Sequence, residues 1–177
     1  MTEAAMPPAV IAEAVAAAKE MLRLTHESED ALLARLAATA FALAEAFCGV
    51  ALVTREFVET VEGDGSWARL ARAPVGAVTR VEGAGGVLSV SAYAVDIDGD
   101  GDGWVRADER VTVTYRAGAS AGFAVLPAGV AHGVVLLAVH LFENRQGEVA
   151  PPAAVAALWR PLRRLRLDVG LHRERHA

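Results

Sequence analysis

Between residues 28 and 48 apolar side chains return every three or four positions, at Leu33, Leu36, Ala40, Leu43 and Phe47. That spacing places them on one stripe of an α-helix. Ser28 is a candidate N-cap, Glu29 and Asp30 suit the positive end of the helix dipole, and Gly49 is a natural stop. Three further stretches carry helical patterning. Residues 9–24, after Pro7-Pro8, are rich in Ala with Glu, Lys and Arg. Residues 129–145 follow Pro127 and turn Val134, Leu137, Leu141 and Phe142 toward one side. Residues 153–161 begin a pattern of Val155, Leu158, Trp159, Leu162 and Leu165, in which Pro161 starts a last segment or kinks the helix.

The interval 50–116 has a different rhythm. Leu52–Val61, Val87–Val95 and Arg110–Tyr115 hold Val, Thr, Tyr and Phe in loose or strict alternation, the mark of strands. Glycine-rich stretches at 83–86 and 118–122 separate them. The expected fold is α+β and mainly α: a bundle of about four helices, with a β-hairpin or small antiparallel sheet inserted between the second and third. Residues 1–161 would form one domain and 162–177 a basic C-terminal arm.

One loop has the look of chemistry. Residues 98–109 read D-G-D-G-D-G-W-V-R-A-D-E and fit the calcium-loop spacing, with Asp98, Asp100, Asp102 and Glu109 as oxygen ligands and Gly103 at the sharp turn. A calcium hand needs an amphipathic helix on each side. Here S-V-S-A-Y-A-V-D-I enters and R-V-T-V-T-Y leaves, both strand-like, so the segment reads first as a solvated hairpin link. A weak cation site, and with it a small calcium-binding interaction module, stays open as the alternative.

Composition narrows the function classes. The 177 residues carry a net charge of −5, which exerts no global pull toward nucleic acid. Aromatic residues are only 6%, too few for a base-stacking platform. The charge is uneven: six arginines from Arg160 to Arg175 face Asp168 and Glu174, giving about +4 there and about −9 on the remainder. Arg160, Arg163, Arg164 and Arg166 alternate with Leu162, Leu165, Leu167 and Leu171, and a merely solvated face has no need of so many leucines. The pattern suggests a docking arm. Cys48 is the single cysteine, and no cysteine metal framework is possible. His132 and His140 are eight apart without a third ligand, and neither a G-x-S-x-G elbow nor a phosphate loop occurs. No enzyme activity, cofactor or metal is therefore expected. No apolar run of 18 residues escapes a charge or glycine, so no membrane partner is expected, and the N-terminus lacks the basic start of a secretion signal.

Three segments taken in order carry a resemblance: A-K-E-M-L-R-L-T-H-E-S-E-D-A-L-L at Ala18–Leu33, C-G-V-A-L-V-T-R-E-F at Cys48–Phe57 and L-L-A-V-H-L-F-E-N-R at Leu136–Arg145. With W-R-P-L-R at Trp159–Arg163, where Leu162 stands for an aromatic residue, the order resembles the head–tail connector proteins of long-tailed phages. These are also called adaptor or head-completion proteins, and relatives occur in gene transfer agents. The resemblance implies a structural subunit, made in the bacterial cytoplasm and resident in the particle neck. It implies a homo-dodecameric ring under the portal protein that extends the DNA channel, without sequence-specific DNA binding, toward a tail-side stopper or neck protein. It also implies that Arg160, Leu162, Arg163, Arg164, Leu165, Arg166, Leu167 and Leu171 form the arm that reaches the portal.

Overall fold

A computed structural model describes residues 2–145 and 150–164. The chain is mixed α+β and divides into two compact units, one helical and one of β-strands.

The helical unit spans Met6–Val53 and residues 120–164. Helix α1 (Pro8–Leu22) starts with proline in its first turn, where the missing N–H costs nothing. Helix α2 (Asp30–Cys48) is preceded by Glu29, with no side-chain cap. Ser28 is not that cap: its hydroxyl is held 2.7 Å from His26 Nδ1. Helix α3 (Ala128–Glu143) and helix α4 (Ala153–Trp159) complete the set, and a 3-10 turn at Arg160–Leu162 absorbs Pro161.

The buried face of α2 differs from the expected stripe. Leu33, Ala37, Ala40, Phe41, Ala44, Glu45 and Cys48 are buried, whereas Leu43 is 47% exposed. The interior seam runs through alanines because small side chains let neighbouring helices approach closely, toward the short end of the usual ~8–10 Å axis spacing. Ala14 and Ala18 of α1 and Ala138 of α3 join the same core. Helix α3 is buried nearly all round, through Val130, Gly133, Val134, Val135, Leu137, Ala138, Val139 and His140. By length and composition alone α2 could cross a membrane. Here it is a core helix with one buried side.

Within the helical unit the closest approach to a glycine is at Gly133. A Cβ there would collide with the indole Nε1 of Trp159, which is 3% exposed. The glycine leaves room for the Trp159 indole of α4 against α3.

The β unit comprises residues 2–5 and Thr54–Ala119 in its described part. Its strands are β1 (Thr2–Glu3), β2 (Arg55–Val61), β3 (Ala68–Arg69), β4 (Val75–Gly83), β5 (Gly86–Val87), β6 (Tyr93–Ile97), β7 (Gly103–Ala107) and β8 (Val111–Ala117). They form two antiparallel sheets, ordered β1-β2-β8-β4-β5 and β3-β7-β6. The inserted part is thus larger than a hairpin, and β1 joins it from ahead of α1. Strands β2 and β8 alternate buried and open positions along their length, which sends Phe57, Val61, Val111, Val113 and Tyr115 into one core. Phe57 and Tyr115 stack with ring centroids 5.7 Å apart.

The expected strand Val87–Val95 is broken. Ala92 N–H donates to Ser89 O at 2.9 Å, and the Ser89 and Ser91 hydroxyls meet at 2.9 Å, so the chain turns and enters the other sheet. The expected hairpin partner also differs. Tyr93–Ile97 pairs with Gly103–Ala107, a strand hidden inside the acidic loop, while Val111–Ala117 pairs with β2 and β4.

Glu59 lies on the buried side of β2. Its carboxylate accepts from Ala71 N–H at 3.0 Å, and Tyr115 Oη accepts from Arg72 N–H at 3.2 Å. These bonds pin the β3–β4 link against the strands. Burial pushes Glu59 above its ordinary value of 4.5, against the backbone bond from Ala71.

Two outcomes are expected. Gly133→Ala forces the Trp159 ring off α3 and lowers stability by about 1–3 kcal/mol, read as a fall in Tm of a few degrees in thermal unfolding. The raised pKa of Glu59 means that the folded state holds its proton more tightly than the unfolded one. That contribution is complete below 4.5 and is lost as pH rises through the raised value. Chemical denaturation at a series of pH values should therefore find wild type losing stability relative to Glu59→Gln as pH climbs through that window, then levelling.

Candidate functional site

The C-terminal segment is built onto the end of α2. Trp159 packs its ring 5.9 Å from that of Phe47 at 54°. The Arg163 guanidinium sits 5.7 Å from the Phe47 ring centroid, a cation–π distance. Arg164 N–H donates to Cys48 O at 2.9 Å and so satisfies one of the carbonyls that a helix end leaves open. Gly49 makes this possible. Its φ of 72° is left-handed, and a Cβ would lie 3.2 Å from the Arg164 carbonyl oxygen. Behind it the buried Glu45 carboxylate accepts from Leu52 N–H at 2.8 Å, tying the outgoing chain to the helix. Burial, then the neighbouring Glu45, raises the pKa of the Cys48 thiol, which is closed to solvent and unsuited to nucleophilic work.

Of the eight arm residues named from sequence, Arg163 and Arg164 are brought to this anchor. Arg160 and Leu162 stand on the surface, with Leu162 37% exposed. Leu165, Arg166, Leu167 and Leu171 lie outside the described residues. The sequence pointed to the arginines but not to their seat at Phe47–Gly49. The only signal there was a glycine one residue past the helix.

The E-N-R motif closes α3. Arg145 Nε donates to Phe142 O at 3.2 Å, its guanidinium lies 4.5 Å from the Phe142 ring centroid, and Nη2 reaches Glu29 at 3.4 Å. Asn144 Nδ2 donates to His140 O at 2.9 Å. The trio caps a helix and links it to the start of α2. Glu143 is exposed.

The acidic loop folds as the turn of the β6–β7 hairpin. Asp98 Oδ1 accepts from Asp100 N–H at 3.0 Å and Asp102 N–H at 2.8 Å, and Trp104 Nε1 lies 3.4 Å from Asp98 Oδ2. Asp98 N–H donates to Asp102 O at 3.0 Å, and Asp102 is paired with Arg69. Glu109 is not with them. Its carboxylate stands by Gly83 and 3.4 Å from Ala84 N, at the far end of β7. A five-residue strand spans about 16 Å, too far for twelve residues to wrap one ion. Among the described residues no group of three His, Cys, Asp or Glu is arranged to hold a metal. Asp98 is thus the keystone of a turn. Asp98→Ala is expected to speed amide exchange at residues 100–104, read by hydrogen–deuterium exchange. Millimolar calcium is expected to leave the wild-type exchange pattern unchanged.

No protein-family model and no curated protein matches the chain. Solved structures do. A chain from the neck of the empty gene transfer agent particle, computed with sixfold symmetry, is 26% identical with a TM-score of 0.74, covering 96% of this chain and 98% of that one. A chain from the native gene transfer agent virion is 27% identical with a TM-score of 0.72, covering 96% and 97%. One from the native particle neck, computed with twelvefold symmetry, is 25% identical with a TM-score of 0.71, covering 96% and 98%. Sequence order and backbone thus point the same way: the chain is similar along nearly its whole length to chains of gene transfer agent particles, two of them from the neck, which is consistent with the head–tail connector (adaptor) family.

Proposed function

We propose that this chain is a head–tail connector subunit. It forms a twelve-membered ring under the portal protein, extends the DNA channel and presents the platform on which a tail-side stopper assembles, in a gene transfer agent or a tailed phage. The observation that carries the reading is the likeness over 96% of the chain to neck components, one of them in a twelvefold-symmetric reconstruction.

The work is mechanical and no reaction is assigned to it. The alanine-seamed helices give the ring body, and β strands inserted into the helical chain give the platform. The arm beyond Arg164 docks on the portal, with arginines for acidic partners and leucines for an apolar seat. Twelve weak arms on a symmetric target bind together far more tightly than one. An acidic remainder keeps DNA from sticking in the channel, since phosphate contacts drive nonspecific binding.

Removing residues 165–177 leaves the Trp159, Arg163 and Arg164 contacts in place. The truncated chain is expected to keep its Tm within about 2 °C, on a scale where 1 kcal/mol moves a chain of this size by about that much. Particles made with it are expected to package DNA but to lose tails in electron micrographs. Normal tail yield with the truncated chain would refute the docking arm.

A further inference from the structure

Of the apolar features that stay uncovered among the described residues, two suit one another in shape, and neither belongs to the C-terminal anchor. The first is concave. Ile11, Ala12, Val15 and Ala16 of α1 and Ala34 of α2 line a groove of about 770 Å³, with the Lys19–Asp30 ion pair (2.7 Å) on its wall. The small alanines create the depth. The second is convex. After β5 the chain turns at Ser89–Ala92 and carries Val90 there at 84% exposure, with Val87 beside it at 63%. Turn positions favour Gly, Asn, Asp, Ser or Pro, and a bare valine gains nothing from water there. A Cβ added at Gly85 or Gly86, in the β4–β5 turn just ahead of Val87, would meet no atom within 4 Å, so the chain is open there too.

A closed cyclic ring uses heterologous contacts: each subunit must offer two different, complementary patches, one to each neighbour. A chain carrying one apolar groove and one apolar knob satisfies that requirement, and its relatives occur in necks reconstructed with sixfold and twelvefold symmetry. We propose that Val87 and Val90 of one copy seat in the α1–α2 groove of the next. The Ser89 and Ser91 hydroxyls on either side of Val90 give the knob a polar rim suited to the Lys19–Asp30 wall. Each contact is small and weak alone, and ring closure makes them additive. The inference rests on the connector reading and names the surfaces of its lateral interface.

The test uses Ala12→Cys with Val90→Cys in the full chain. Both sites are exposed, and the native Cys48 is buried and silent. Particles assembled from a mixture of isotope-labelled and unlabelled chains are mildly oxidised, and disulfides are read by mass spectrometry. The expected result is a 12–90 linkage between different chains, at least tenfold above the 90–90 and 12–12 linkages of the single variants, and a ladder of multimers without reductant. A chain present in the neck whose 12–90 linkage is absent, confined within one chain, or no commoner than the like-to-like linkages would overturn the inference and leave the connector reading standing. In a second variant, Ala12→Cys with Leu171→Cys, a 12–171 linkage commoner than the 12–90 linkage would overturn it too, by assigning the groove to the arm. A chain missing from particles altogether would bring down the connector reading, and the inference with it.

Discussion

The helical unit depends on how α2 ends. An α-helix leaves carbonyls unsatisfied at its C-terminus, and a buried end without partners is costly. Here the left-handed Gly49 turns the chain, Glu45 receives Leu52 N–H, and Arg164 N–H returns from more than a hundred residues away to Cys48 O. One backbone bond thus satisfies an open carbonyl of α2 and fixes residue 164 against the end of that helix. Beside it the Phe47 and Trp159 rings pack together, and Trp159 lies against Gly133 of α3.

The helices were legible because their signals are local: proline ahead of α1, α3 and α4, and glycine after α2. The depth of burial was not, because it depends on which neighbour comes close. Leu43 scores as well as Ala40 in any periodic count, yet only the alanine face admits another helix. In the β region alternation identified β2 and β8, whose partners lie on both sides. It misread Val87–Val95, where two serines and a valine look extended in sequence but bond to one another as a turn. It also overlooked β7, because glycine and arginine dilute the pattern in G-W-V-R-A, and pairing with Tyr93–Ile97 decides the matter.

The acidic loop shows why a spacing motif is weaker than its regular expression suggests. Every ligand type is present in order, but the chain between Asp102 and Glu109 is extended. Asp98, which would lead the ligand set, instead bonds backbone N–H groups of its own turn, and Asp102 pairs with Arg69. In the C-terminal segment the opposite holds. The arginines and leucines raise the expectation of a partner surface, while Phe47, Cys48 and Gly49, which hold Arg163 and Arg164, give no signal in sequence beyond the glycine that ends the helix.

The return of Arg164 to α2 sets a load path. Tension applied beyond residue 164 meets first a backbone hydrogen bond and an arginine over an aromatic face, and next an indole wedged on a glycine of α3. Force therefore spreads into two core helices at once and does not peel α4 away turn by turn.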